Sequence, residues 1–183
     1  MKHDPFGSAI IAFFAIVFAG CSSLGGSEVW LVAPTQEDWG AAFSRLSADE
    51  QVLVKSKPIF FTVDPLADGS ISEFKYDRLD LVGIVNGYNR AFCHESPNTR
   101  QIVHALTQEQ IMVPDAVQKH RFDLEWTLRD STGRMSVASA TAFGPGIKIW
   151  GASRGALLTE MNQAFALTFL KMVVQIENAQ SGR

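Results

Sequence analysis

From Gly155 to Asn178 the chain carries apolar residues at helical spacing around far more of its circumference than a surface helix would. Leu158, Met161, Phe165, Phe169, Met172 and Ile176 make one broad stripe, and Leu157, Ala164, Leu167, Leu170 and Val174 widen it. The only charges along the segment are Glu160, Lys171 and Glu177. Packing on a single sheet needs only one apolar stripe. The surplus must fold back as core, hold an apolar ligand in a groove against the sheet, or meet a protein partner.

The rest of the chain supplies that sheet. Thr35-Gln36-Glu37-Asp38 has an N-cap residue followed by acids in the first turn, and Trp39, Phe43 and Leu46 follow at helical spacing. Ser47-Ala48-Asp49-Glu50 repeats the capping-box pattern and predicts a second short helix to about Lys55. Pro58 to Val63 reads as a strand, with turns at Asp64-Pro65 and at Ala67 to Ser70. Leu79–Val85 and Tyr88–Cys93 flank Asn86-Gly87, which predicts a β-hairpin with a type I′ turn. Ser96-Pro97 predicts a helix start, with Ile102, Val103 and Leu106 on a narrow face running to about Glu109. Phe122, Leu124, Trp126 and Leu128 alternate with polar residues, so this strand has one wet face. Asp130 to Gly133 turns the chain into a return strand of small residues, Met135 to Phe143, ended by Gly144-Pro145-Gly146.

Few residues offer chemistry. Gly151-Ala152-Ser153-Arg154-Gly155 matches the G-x-S-x-G nucleophile elbow, but no histidine follows Ser153 to complete a triad in the required chain order. A serine hydrolase using Ser153 is therefore the least favoured reading, and capping of the last helix the favoured one. His94, His104 and His120 fall on a loop, a helix and a strand edge without metal-ligand spacing, and alternation points Cys93 and His94 to opposite faces. Asp64, Asp68, Asp77 and Asp80 lack the ligand spacing of a calcium loop and read as turn carboxylates. No metal, cofactor or catalytic residue is expected. A net charge of −3 argues against nucleic acid as a partner. What remains is the loop from Gly144 to Gly151, where Ile147, Ile149 and Trp150 stand between glycines; they either fold back over the sheet as core or serve as candidate partner-binding residues.

Ala9 to Gly20 is uncharged and apolar but far shorter than the about 20 residues a spanning helix needs. It ends in Phe18-Ala19-Gly20-Cys21 and is followed by the tether-like Ser22-Ser23-Leu24-Gly25-Gly26-Ser27. The run resembles a bacterial lipobox, with Phe18 where Leu, Val or Ile is usual. The resemblance implies a signal peptide over 1–20, a lipidated tether over 21–33 with acyl chains (palmitate among them) on Cys21, and a position in the cell envelope. In such lipoproteins an Asp after the cysteine favours the inner membrane; Ser22 implies the outer membrane, facing the periplasm. Once Cys21 is acylated, Cys93 has no partner within the chain and is expected to be a buried thiol.

A second resemblance rests on the strand Phe122 to Asp130, the turn Ser131-Thr132-Gly133, the Ala-rich return strand and the closing helix. Together they resemble the C-terminal part of small envelope lipoproteins of the curli-secretion and ABC-transport-auxiliary types. Such proteins are non-catalytic subunits of transport or assembly machines. The chain is thus expected to form one α+β domain over 34–183, a mostly antiparallel sheet with helices on one face and a long C-terminal helix. The expected function is that of an outer-membrane lipoprotein, an accessory or assembly subunit of an envelope protein complex. The alternative is a periplasmic binding module for an apolar or lipid-like ligand.

Overall fold

The computed structural model describes residues 30–67, 77–180 and 182. Cys21, the signal segment and Asp68 lie outside the described residues. In chain order the elements are β1 (Trp30–Val32), α1 (Gln36–Ser44), α2 (Ala48–Ser56), β2 (Phe60–Val63), β3 (Asp77–Leu79), α3 (Leu81–Phe92), β4 (Thr99–Met112), β5 (Val117–Asp130), β6 (Met135–Phe143), β7 (Ile147–Lys148) and α4 (Arg154–Gln180). The main sheet has the order β2-β4-β5-β6, with β7 also paired to β5; β4, β6 and β7 run antiparallel to β5, while β2 is parallel to β4. A small parallel pair, β1 and β3, stands apart. The fold is a single α+β domain with its helices on one face of a mixed sheet and a long closing helix.

The two capping boxes form as the sequence predicts: Thr35 and Asp38 cap α1, Ser47 and Glu50 cap α2. Residues 30–33, placed by the sequence in the tether, take part in the fold. Val32 is fully buried, and Asn162 of α4 binds both the Ala33 N–H (3.1 Å) and its C=O (3.4 Å).

Two elements differ from expectation. The predicted hairpin at Asn86-Gly87 is helix α3. Asp80 caps it by accepting the Gly83 N–H at 2.8 Å, and Leu81, Ile84, Val85 and Tyr88 form its buried stripe. Gly87 serves packing, not a turn: a Cβ there would lie 3.0 Å from the indole nitrogen of Trp39. The predicted helix after Ser96-Pro97 is instead the 14-residue strand β4. The Ser96 hydroxyl donates to the Pro58 C=O (2.6 Å) and accepts the Asn98 N–H, forming a local turn that replaces the helix cap. A β-bulge at Val103 explains the misreading. Ile102 and Ala105 both face the core because one extra residue sits between them, so the inward spacing mimics a helix.

The core lies between the sheet and the helices. Ala138, Ala140 and Ala142 of β6 are buried and let α4 approach closely, while Phe165 and Phe169 are fully buried. The other side of α4 packs on α1 and α2. That second layer takes up the apolar surplus of the helix. Phe169 is central: its ring centroid is 5.5 Å from Trp39, 5.4 Å from Phe61, 4.9 Å from Tyr88 and 5.3 Å from Trp126. At the outer edge of the sheet, the buried Asn89 side chain accepts the Phe61 N–H (3.1 Å) and donates to the Phe61 C=O (2.8 Å), closing the side of β2 that faces away from β4. The Trp126 indole N–H donates to the buried Thr107 hydroxyl at 3.1 Å.

Glu177, on the last turns of α4, is only 2% exposed and accepts a hydrogen bond from Asn98 at 3.0 Å. Burial raises its carboxyl above the ordinary range, against the pull of Lys57, Asn98 and Arg100. A carboxyl raised in the folded state contributes no penalty while protonated and costs stability as pH climbs through its folded pKa. Glu177→Gln keeps an acceptor for Asn98 and removes the charge. Its stability relative to wild type, read by urea unfolding, is expected to improve between about pH 4 and pH 7.5, by about 1 kcal/mol. An unchanged difference across that range would contradict this account.

Candidate functional site

The segment after β6 is shaped by Gly144-Pro145-Gly146, which interrupts the pairing along β5 before β7 resumes it against Val117 and Gln118. Both glycines are required. A side chain at Gly144 would collide with the Glu160 carboxylate. Gly146 has φ +85° and would bring a Cβ to 2.8 Å from Val117, so it needs both left-handed backbone and the missing side chain.

Into the gap comes a buried polar cluster from three elements. His120 of β5 is 1% exposed; its Nδ1 pairs with the Glu109 carboxylate of β4. Its Nε2 lies 3.4 Å from Glu160 Oε2 of α4 and 3.1 Å from the Gln118 side-chain nitrogen. Glu160 also accepts the His120 backbone N–H at 3.2 Å and the Gly146 N–H at 3.2 Å. Burial holds the Glu160 carboxyl above the usual carboxylate range, opposed by His120, the two backbone N–H groups and Arg45. Arg45, at the end of α1, donates to the Phe143 C=O at 3.0 Å. The cluster ties α4, β4, β5 and the loop together at one end of the sheet.

Above it the chain presents apolar side chains to solvent. Trp150 is 86% exposed and Ile149 is 39% exposed. Ile111, Met112 and Val113, at the tip of the β4–β5 connection, are exposed at the same end. The two loops are joined: the Ile149 N–H donates to the Ala116 C=O at 3.0 Å. Ala116 (φ +60°) and Asp115 (φ +51°) both occupy the left-handed region without being glycine, a strained turn. Large apolar side chains are normally scattered singly over a surface; five at one end of a sheet make a patch suited to contact.

The residues predicted from sequence thus separate. Ile149 and Trp150 are exposed and do not fold back over the sheet, whereas Ile147 is half-buried and pairs with Gln118. The Ser153 hydroxyl accepts the Ala156 N–H at 3.2 Å, the capping role expected of it. His94 follows α3, His104 lies on β4 and not on a helix, and His120 is in the interior of β5 and not at a strand edge. Asp64 accepts the Leu66 N–H, Asp80 caps α3, and Asp77 belongs to β3. Cys93 is buried, and burial pushes its thiol pKa up. Among the described residues no group of His, Cys, Asp and Glu is arranged to hold a metal ion, and no helix is long and apolar enough to cross a membrane.

The buried cluster was not foreseen, although one signal pointed to it. The alternation that buries Phe122, Leu124, Trp126 and Leu128 extends back two residues to His120. Its carboxylate partners, 11 and 40 residues away in sequence, carry no such mark.

No protein-family model and no curated protein matches the chain. Among solved structures it is similar to a Xanthomonas campestris protein of family DUF330, with 11% identity over 68% of this chain and 85% of that one, at a TM-score of 0.38. It is also similar to a Caulobacter crescentus protein described as a "putative lipoprotein", with 13% identity over 73% of this chain and 95% of that one, at a TM-score of 0.35. These are partial likenesses of shape, and no function is carried over from either.

Proposed function

We propose that this chain is a lipid-anchored protein of the cell envelope, tethered through Cys21, that acts as a non-catalytic accessory or assembly subunit through protein contacts. The observation that carries the contact surface is Trp150: a large aromatic side chain, 86% exposed, on a loop fixed from beneath by Glu160, His120 and Gly146. A rigid loop loses little entropy when it is covered, so burial of its aromatic side chain is available for binding. The location rests on the lipobox-like run and the tether-like residues after it. Outer-membrane attachment facing the periplasm follows from Ser22 in the same reading.

The test has two arms. Mass spectrometry of the native protein should show a chain beginning at an acylated Cys21; an unmodified cysteine or an intact leader would refute the anchoring. Purification from membranes should recover a defined protein complex, and Trp150→Ala should weaken it about 30-fold, the equivalent of about 2 kcal/mol for an aromatic anchor. The melting temperature should stay within a few degrees, since Trp150 touches little of the core. Retention of the same complex by the alanine variant would remove the tip from the interface.

A further inference from the structure

We propose that β6 pairs with β6 of a second copy of this chain, antiparallel and centred on Ser139. Among the described residues β6 has β5 on one side and no strand on the other. The Asp130 N–H donates to the Arg134 C=O, and the Gly144 N–H to the His120 C=O. These bonds fix the even-numbered residues as those whose backbone faces β5. The N–H and C=O groups of Met135, Val137, Ser139 and Thr141 therefore point outward. At the far end the Phe143 C=O is taken by Arg45.

Exposed strand edges are normally guarded by charge, proline, a bulge or shortness. β6 has none of these over nine residues, Met-Ser-Val-Ala-Ser-Ala-Thr-Ala-Phe. Open space runs along the edge. A groove of about 550 Å³ is lined by Ser136, Val137 and Ser139 with Gln175, Ile176 and Ala179 of α4. A second, of about 530 Å³, lies over the sheet and reaches β6 from Leu106 and Gln108 of β4 and Asp123 and Glu125 of β5, touching Ser139 and Thr141.

The sequence of β6 selects the occupant, because it is symmetric in character about its centre. Large Met135 mirrors large Phe143, small Ser136 mirrors Ala142, β-branched Val137 mirrors Thr141, and Ala138 mirrors Ala140. In an antiparallel pair centred on Ser139, each residue meets its mirror partner from the other copy. Val137 would sit opposite Thr141 and Ser139 opposite Ser139, each pair exchanging both backbone hydrogen bonds. No charge on the strand opposes the pairing. Gln175, beside Ser139, would meet its own counterpart near the two-fold axis, and an amide can both donate and accept there.

The experiment uses the full-length chain in membranes. Residues in a hydrogen-bonded antiparallel pair have Cα atoms about 5.5 Å apart, within the span of a disulfide. Ser139→Cys is therefore expected to give a covalent species of twice the chain mass on mild oxidation. Glu125→Cys, exposed in the middle of β5, should give less than about a tenth as much. Equal yields from the two variants, no adduct, or an adduct with a different protein would each overturn the proposal.

Ser139→Pro supplies a second arm. It removes an outward N–H without touching the bonds to β5, a position where proline is tolerated. Light scattering of detergent-solubilised protein should give two copies per particle for wild type and one for Ser139→Pro, with similar melting temperatures. One copy per particle for wild type would also overturn it.

Discussion

Replacing Phe169 with alanine is expected to destabilise the protein by about 3–5 kcal/mol, a large share of what a domain of this size possesses. The ring meets one aromatic side chain from each of α1, β2, α3 and β5, at centroid separations of 4.9 to 5.5 Å. No single neighbour can move into the void without leaving another. The lost transfer energy and the residual cavity therefore add. Phe169→Leu keeps most of the volume and should cost roughly half as much. Urea unfolding followed by tryptophan fluorescence reads both, since Trp39 and Trp126 border the site. A loss below about 1.5 kcal/mol for the alanine variant would show that the four elements can collapse around the gap.

His120→Ala should also be strongly destabilising, for a different reason. It removes the ring that stands between the Glu109 and Glu160 carboxylates, both almost completely withdrawn from water. Removing the hydrogen-bond partner of a buried group typically costs about 1–3 kcal/mol, and more where that group is a carboxylate, because what is left behind is neither solvated nor compensated. The signature is non-additivity. Glu160→Gln in the His120→Ala background should recover part of the loss, whereas two independent sites would simply sum. Urea unfolding at about pH 7.5 of wild type, the two single variants and the double variant measures this. Additive losses would mean that the cluster contributes only packing. Because Glu160 also binds the Gly146 N–H, the same variant should loosen the loop that carries Trp150, detectable as faster amide exchange over residues 144–150.

Much of the fold was legible in the residues. Thr35 with Asp38 and Ser47 with Glu50 announced two helices, the alternation from Phe122 to Leu128 announced β5, and the apolar stripe after Gly155 announced α4. Each of these depends on interactions between near neighbours. The two errors arose where local signals meant something else. Asn86-Gly87 is ordinary turn chemistry, yet Tyr88 and Asn89 are drawn inward by Phe61 and Phe169, and those contacts favour a helix. In β4 the bulge at Val103 broke the two-residue period that would have identified a strand. The loop with Ile149 and Trp150 could be picked out by composition, because apolar residues between glycines are conspicuous. What holds it could not: Glu109, His120 and Glu160 meet only after three elements have been assembled.

The grip of Asn89 on Phe61 has a consequence for where another chain can add to the sheet. The short stretch of rim at β2 is shut by a side-chain amide and the helix that carries it, whereas β4 from His104 to Met112 has no strand on the side away from β5 among the described residues. That longer stretch is guarded by other means: Glu109 places a charge on it, and the bulge at Val103 distorts its start. Growth into a fibre, the usual hazard of an unguarded β-strand, is opposed at that rim by both devices.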